Sequence, residues 1–294
     1  MSVISRVTVV PSRLIALAKT LEVLDGPTDR RAVMAMLFPD PLRRRDAEVD
    51  GPGKNAYEDE LMKEAQALGI LRNEGAAISL SEAGRSMAQD PSGWLHGRLT
   101  DPATATELGQ PDMPSALVWM LAQDPLVGLD WQENHGASIR AALGNDLGIS
   151  NLSDFQQFFH WARYLGYAWW IRAAKGTRVV PDPTVALKRA IKAGSLPTGA
   201  RITVREFVDL MGKACPVLEG GAARAALAPK IGHERAGGLT AGYFSASTGL
   251  ALERLAADGI MKFDALADAE LLVAGPPDTT SLRISHVTVV RGAE

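Results

Sequence analysis

The sequence predicts an α+β protein, mainly helical with small β-hairpins, in which one unit recurs three times in tandem. Two observations carry this. A helix-like stretch, a glycine and an apolar strand-like run follow one another in "EAQALGILR" (Glu64–Arg72), "HWARYLGYAWW" (His160–Trp170) and "ERLAADGIMKF" (Glu253–Phe263). Their glycines, Gly69, Gly166 and Gly259, lie 97 and 93 residues apart. That spacing is too long for a solenoid repeat and suits a small autonomous domain. The second observation is an apolar helix that begins roughly 50 to 60 residues before each glycine.

Taken in order, those first helices are "SRLIALAKTLEVL" (Ser12–Leu24), "PSALVWMLAQ" (Pro114–Gln123) and "TVREFVDLMGKA" (Thr203–Ala214). Leu14, Ile15, Ala18 and Leu21 recur at the spacing of one buried helix face, as do Phe207, Leu210 and Met211. A second helix follows, clearest at Arg30–Phe38 and Gly220–Ile231. A third ends at the glycine, the residue expected in the left-handed position past a helix terminus. Two short strands come next: Ile70–Arg72 with Ala77–Leu80, Tyr167–Ile171 with Arg178–Val180, and Ile260–Phe263 with a partner farther on. Three helices and a β-hairpin is the order of a winged helix-turn-helix domain. The predicted organisation is therefore three tandem winged-helix domains, at residues 1–100, 101–198 and 199–294.

Composition narrows the class. The chain has 294 residues, 46% hydrophobic and 22% charged, which is ordinary for a soluble globular protein. No apolar run approaches the roughly 18 residues that span a membrane, and the N-terminus lacks the layout of a signal peptide. The single Cys215 rules out an internal disulfide and fits a reducing cytoplasm. Five scattered histidines show no metal spacing, and "IGHERAGG" (Ile231–Gly238) lacks a second ligand pair. No nucleophile set or phosphate loop stands out, so neither an enzyme nor a cofactor is expected.

With a net charge of −3, any nucleic-acid surface must be a local patch. The third helix of the first unit opens with Glu58, Asp59 and Glu60, which suit a helix N-terminus but repel phosphate. The run Arg43, Arg44 and Arg45 could touch a backbone, although charge runs are more often simply solvated. The second unit is the better candidate. Its third helix, "SNLSDFQQFFHWARYLG", shows Gln156, Gln157 and His160, and amide side chains can bond base edges in the major groove. From Arg163 to Lys213, ten basic residues face three acidic ones, an excess of seven positive charges. Expected DNA contacts are Gln156, Gln157, His160, Arg163, Trp170, Arg172, Lys175 and Arg178, with Arg43–Arg45 in reserve. The adjacent Trp169 and Trp170 must face opposite ways on a strand. One reading packs one against its own unit and one against the next; the other puts one indole against a ligand.

In the third unit, Ser245, Ser247 and Thr248 at a helix start could approach phosphates, and are equally good helix-start residues. The stretch Glu253–Glu270 holds five acidic and two basic residues, unattractive to DNA. The long hairpin Glu270–Ser285 looks suited to protein contact. The termini "VISRVTVV" (Val3–Val10) and "RISHVTVV" (Arg283–Val290) match at six of eight positions. They would pair as strands within one sheet or cross between subunits of a homo-oligomer, unless the match is coincidence.

The motifs "ALGILR" and "ISLSEAGR" resemble those of many bacterial winged-helix proteins. The opening "MSVISR…VPSRL" resembles DpdG-type proteins, encoded with antiviral cassettes that modify DNA with deazaguanine and restrict unmodified DNA. That resemblance implies an accessory subunit of a defence complex. Joined to the basic second unit and the missing catalytic motifs, the expectation is a noncatalytic, cytoplasmic DNA-binding subunit with protein subunits as further partners. The alternative is a scaffold of tandem winged helices, like the kite subunits of SMC-kleisin complexes, that bridges partners without touching DNA.

Overall fold

The computed structural model describes residues 2–5, 9–39, 56–144, 147–174, 176–232, 237–274 and 282–290. The class is α+β: helices dominate, and the strands form four small three-stranded sheets.

The first unit runs α1 (Pro11–Leu24), β1 (Thr28–Asp29), α2 (Arg30–Leu37), α3 (Ala56–Ala67), β2 (Leu71–Glu74) and β3 (Ala77–Leu80). The second repeats that order with α7 (Asp112–Leu121), β4 (Leu129–Asp130), α8 (Gly136–Leu143), α9 (Leu152–Leu165), β5 (Ala168–Ala173) and β6 (Gly176–Pro181). Between them lie α4 (Glu82–Gln89), α5 (Pro91–Thr100) and α6 (Pro102–Glu107); α10 (Thr184–Lys192) follows the second hairpin. Both sheets place the short strand beside the last one, in the orders β1-β3-β2 and β4-β6-β5.

The third unit departs from this pattern. Its short strand β7 (Arg201–Thr203) precedes α11 (Val204–Ala214), and α12 (Ala222–Ile231) and α13 (Ala246–Ala257) follow. Strand β9 (Met261–Asp264) meets β12 (His286–Val289) only after an insertion, giving the order β7-β12-β9. The insertion carries β10 (Leu272–Ala274) and β11 (Arg283–Ile284), an antiparallel pair completed by β8 (Tyr243–Phe244), which lies parallel to β10.

Helix ends follow the chemistry read from the sequence. Gly69, Gly166 and Gly259 all take positive φ, at 72°, 93° and 67°. At Gly166 a Cβ would lie 2.8 Å from the Ala186 amide nitrogen, so glycine is needed for space as well as conformation. Asn151 and Asp154 form a reciprocal capping box at the start of α9. Buried apolar side chains from all three units join into a single connected core.

Among the described residues the matched termini do not pair. Residues Val3–Ser5 form a 3-10 turn, and β12 has a neighbour on each side, β7 and β9, so no edge is left for a further strand. The N-terminal segment is tied to the second unit instead. Gln110 Oε1 accepts from the Val3 amide at 2.7 Å and from the Ser2 hydroxyl at 2.9 Å. The Val9 carbonyl accepts from Gln157 Nε2 at 2.7 Å and from Trp161 Nε1 at 3.1 Å. Once these groups satisfy the backbone locally, a β-rich composition has no ladder to join.

Candidate nucleic-acid interface

Helix α9 buries Phe155, Phe158, Phe159 and Trp161 in the core. Its opposite stripe, Ser153, Gln156, His160 and Arg163, recurs every three or four residues and faces outward. Gln156 is partly covered, its amide 3.4 Å from the Trp131 carbonyl oxygen, and His160 and Arg163 are exposed. The hairpin stands beside this stripe. Cross-strand partners share a face; Leu129, Val179 and Trp170 line the helix side of the sheet, and Asp130, Arg178 and Ile171 the outer side.

An aromatic cluster joins helix to hairpin. The Trp131 ring lies 5.3 Å from His160 and 4.7 Å from Trp170, and His160 lies 5.1 Å from Trp170. The Arg163 guanidinium caps the Trp170 ring at 4.5 Å, a cation–π contact that holds the arginine upright at the surface. Burial against the two indoles, and then the Arg163 charge, push the His160 pKa down. His160 is therefore a neutral imidazole at pH 7. Arg172 follows Trp170 by two on β5, so it shares that face, and it is exposed.

Six expected site residues thus stand on or beside one hairpin: Gln156, His160, Arg163, Trp170 and Arg172 toward α9, and Arg178 on the outer face. Gln157 does not join them. It is 2% exposed, and its amide is spent on the carbonyls of Val3 and Val9, so it offers nothing to a base edge. Arg178 is partly neutralised by Asp130 at 3.6 Å. Lys175, Arg43, Arg44 and Arg45 lie outside the described residues, as do His233 and Glu234. Trp131 escaped the sequence reading. It follows a two-residue strand inside a polar loop, and a lone tryptophan after a Gly-Leu-Asp turn gives no periodic signal.

Part of the excess of basic residues is answered within the chain. Lys188 meets Asp258 at 2.7 Å, Arg201 meets Asp264 at 2.9 Å, and Arg205 holds Glu270 through two bonds, at 2.6 and 3.1 Å. The basic stretch and the acidic stretch that follows it are thus complementary. Arg163 and Arg172 have no carboxylate partner among the described residues.

The other two units offer less. Asp59 on α3 pairs with Arg30. Ser245, Ser247 and Thr248 are buried at the start of α13: Glu219 accepts from the Ser245 amide and the Thr248 hydroxyl, both at 2.7 Å, and Ser247 donates to the Leu121 carbonyl at 2.6 Å. Glu219 thus holds the helix start, and Ser247 seats it on the second unit. Among the described residues no three His, Cys, Asp or Glu side chains gather to hold a metal ion. No described helix is long and apolar enough to cross a membrane.

The architecture and this face define a helical α+β protein whose second unit carries an aromatic and basic surface. The chain belongs to the DpdG-like family, whose sequence profile matches residues 1–269 and so takes in α9, β5 and β6 entirely. Membership points to a role in DNA-modification cassettes. No curated protein and no solved structure gives a significant match.

Proposed function

We propose that the protein is a noncatalytic DNA-binding accessory subunit of a DNA-modification or defence complex, built from three winged-helix units of which the second binds the duplex. Helix, strand, helix, helix and hairpin, with the short strand paired to the last, is the winged-helix arrangement; the third unit is a variant with its short strand moved ahead of the first helix. The observation that carries the reading is the outward stripe of α9. It sets Gln156 and His160 beside two arginines, Arg163 and Arg172, that no carboxylate among the described residues neutralises. An amide can bond base edges in a major groove, while arginines on helix and wing hold phosphates.

The test is duplex binding across a salt series. Changing Arg163 and Arg172 together to glutamine removes two phosphate contacts, so the slope of log K against log salt falls by about two. An unchanged slope and affinity would refute the assignment.

A second reading, a scaffold of kite type that bridges protein subunits, is favoured by the internal neutralisation of the basic stretch. If it holds, the chain purified without nuclease carries no nucleic acid and co-elutes with a partner subunit.

A further inference from the structure

Strand β5 is gripped from both sides. Trp170 points to α9, under Arg163. Trp169 points the opposite way, where its Nε1 donates to Asp182 Oδ2 at 3.0 Å and the guanidinium of Arg254 lies 5.4 Å over its ring. Arg254 belongs to α13 of the third unit, and its Nη1 also bonds Asp182 Oδ2. Asp182 is 3% exposed. Its other oxygen accepts from the Thr184 amide at 2.8 Å and from the Thr184 hydroxyl at 2.5 Å. A carboxylate so deep depends on a cation and a full set of donors, and Arg254 supplies the cation. A second tie, Lys188 to Asp258 at 2.7 Å, lies one turn on, at the C-terminal cap of the same helix. β5 is an edge strand with β6 as its one neighbour, so side-chain anchors decide how firmly it is held.

We propose that Arg254 is a positioning residue for nucleic-acid binding by the second unit. It clamps Trp169 and Asp182, and so holds β5 where Arg172 and Trp170 stand beside the α9 stripe, without touching the duplex itself. Any subunit that engages the third unit would then reach the wing through α13. The inference rests on the DNA-binding reading given above.

Arg254→Met keeps the aliphatic stem and removes the charge. In the full chain it should speed hydrogen exchange at the amides of residues 168–173 and weaken duplex binding about tenfold, which corresponds to about 1.4 kcal/mol. The salt slope should stay unchanged, because no phosphate contact is lost. Arg254→Lys retains a cation for Asp182 and should recover part of both effects. A slope reduced by about one with normal exchange would make Arg254 a direct phosphate contact and overturn the proposal. Normal exchange with normal affinity would overturn it as well. If the unmodified chain binds no duplex, the DNA-binding function fails, and exchange alone judges the clamp: acceleration in 168–173 upholds it, and no change overturns it.

Discussion

Gln156 and Gln157 are neighbours of identical chemistry, but Gln157 is buried and Gln156 stays partly open at the surface. Replacing Gln157 by leucine keeps the side chain's bulk and deletes an amide donor buried at 2% exposure. Its short bond, 2.7 Å to the Val9 carbonyl, contributes about 1 kcal/mol net. That carbonyl keeps Trp161 as a donor at 3.1 Å, so it is not orphaned. The longer bond, 3.3 Å to the Val3 carbonyl, is weaker, but its loss leaves a buried acceptor short of a partner. Together the cost is roughly 1–3 kcal/mol. At about 2–4 °C per kcal/mol for chains of 150–250 residues, the melting temperature should fall by several degrees. Duplex affinity measured below the transition should stay at the wild-type value. Gln156→Leu should do the reverse, leaving stability within about 0.5 kcal/mol and weakening binding to a preferred sequence. Thermal melting and fluorescence anisotropy on both variants settle the matter. A Gln157→Leu chain of normal stability that loses DNA affinity would refute the assignment of its amide to the N-terminal segment.

Gly166→Ala should destabilise by about 1–2 kcal/mol or more in denaturant melts, since alanine would be forced to φ 93° with its Cβ 2.8 Å from the Ala186 nitrogen. His96 bonds the Tyr167 hydroxyl at 2.7 Å, and burial, with Arg189 nearby, lowers its pKa to about 4. The unfolded chain therefore binds the extra proton first, so stability is full above about pH 6.5 and is lost as pH falls toward about 4. A His96→Gln chain should show a flatter pH dependence across that window, and an equal slope would count against the buried neutral imidazole. His160, whose pKa burial and then Arg163 lower, should take up a proton more readily when phosphate approaches, so duplex affinity should rise as pH falls into the acid range. His160→Gln should abolish that rise.

What the sequence disclosed, and what it hid, follows from how far each signal reaches. The helices and their terminal glycines were legible because capping and a 3.6-residue period are local, and Gly69, Gly166 and Gly259 all take the conformation only glycine adopts freely. Strands β1, β4 and β7 were not, since two or three residues show no alternation. The matched termini misled because β-branched composition states a preference, while the partner is set by distant groups such as Gln110 and Trp161. The two tryptophans were half read. Their opposite directions follow from the pleat, but that Trp170 meets Arg163 of its own unit and Trp169 meets Arg254 of the third depends on tertiary packing. Charge is the sharpest case. Ten basic residues in one stretch signal an electropositive surface only if the acids that answer them lie elsewhere. Here they lie some 60 to 70 residues on, at Asp258, Asp264 and Glu270, and folding brings the two stretches together. The charge left for a partner is then set by which side chains escape that internal pairing. Among the described residues Arg163, capping Trp170, and Arg172, on an edge strand opposite Thr177, escape it. A binding surface in this chain is thus a residue of its folding electrostatics, and those two arginines mark where to probe it.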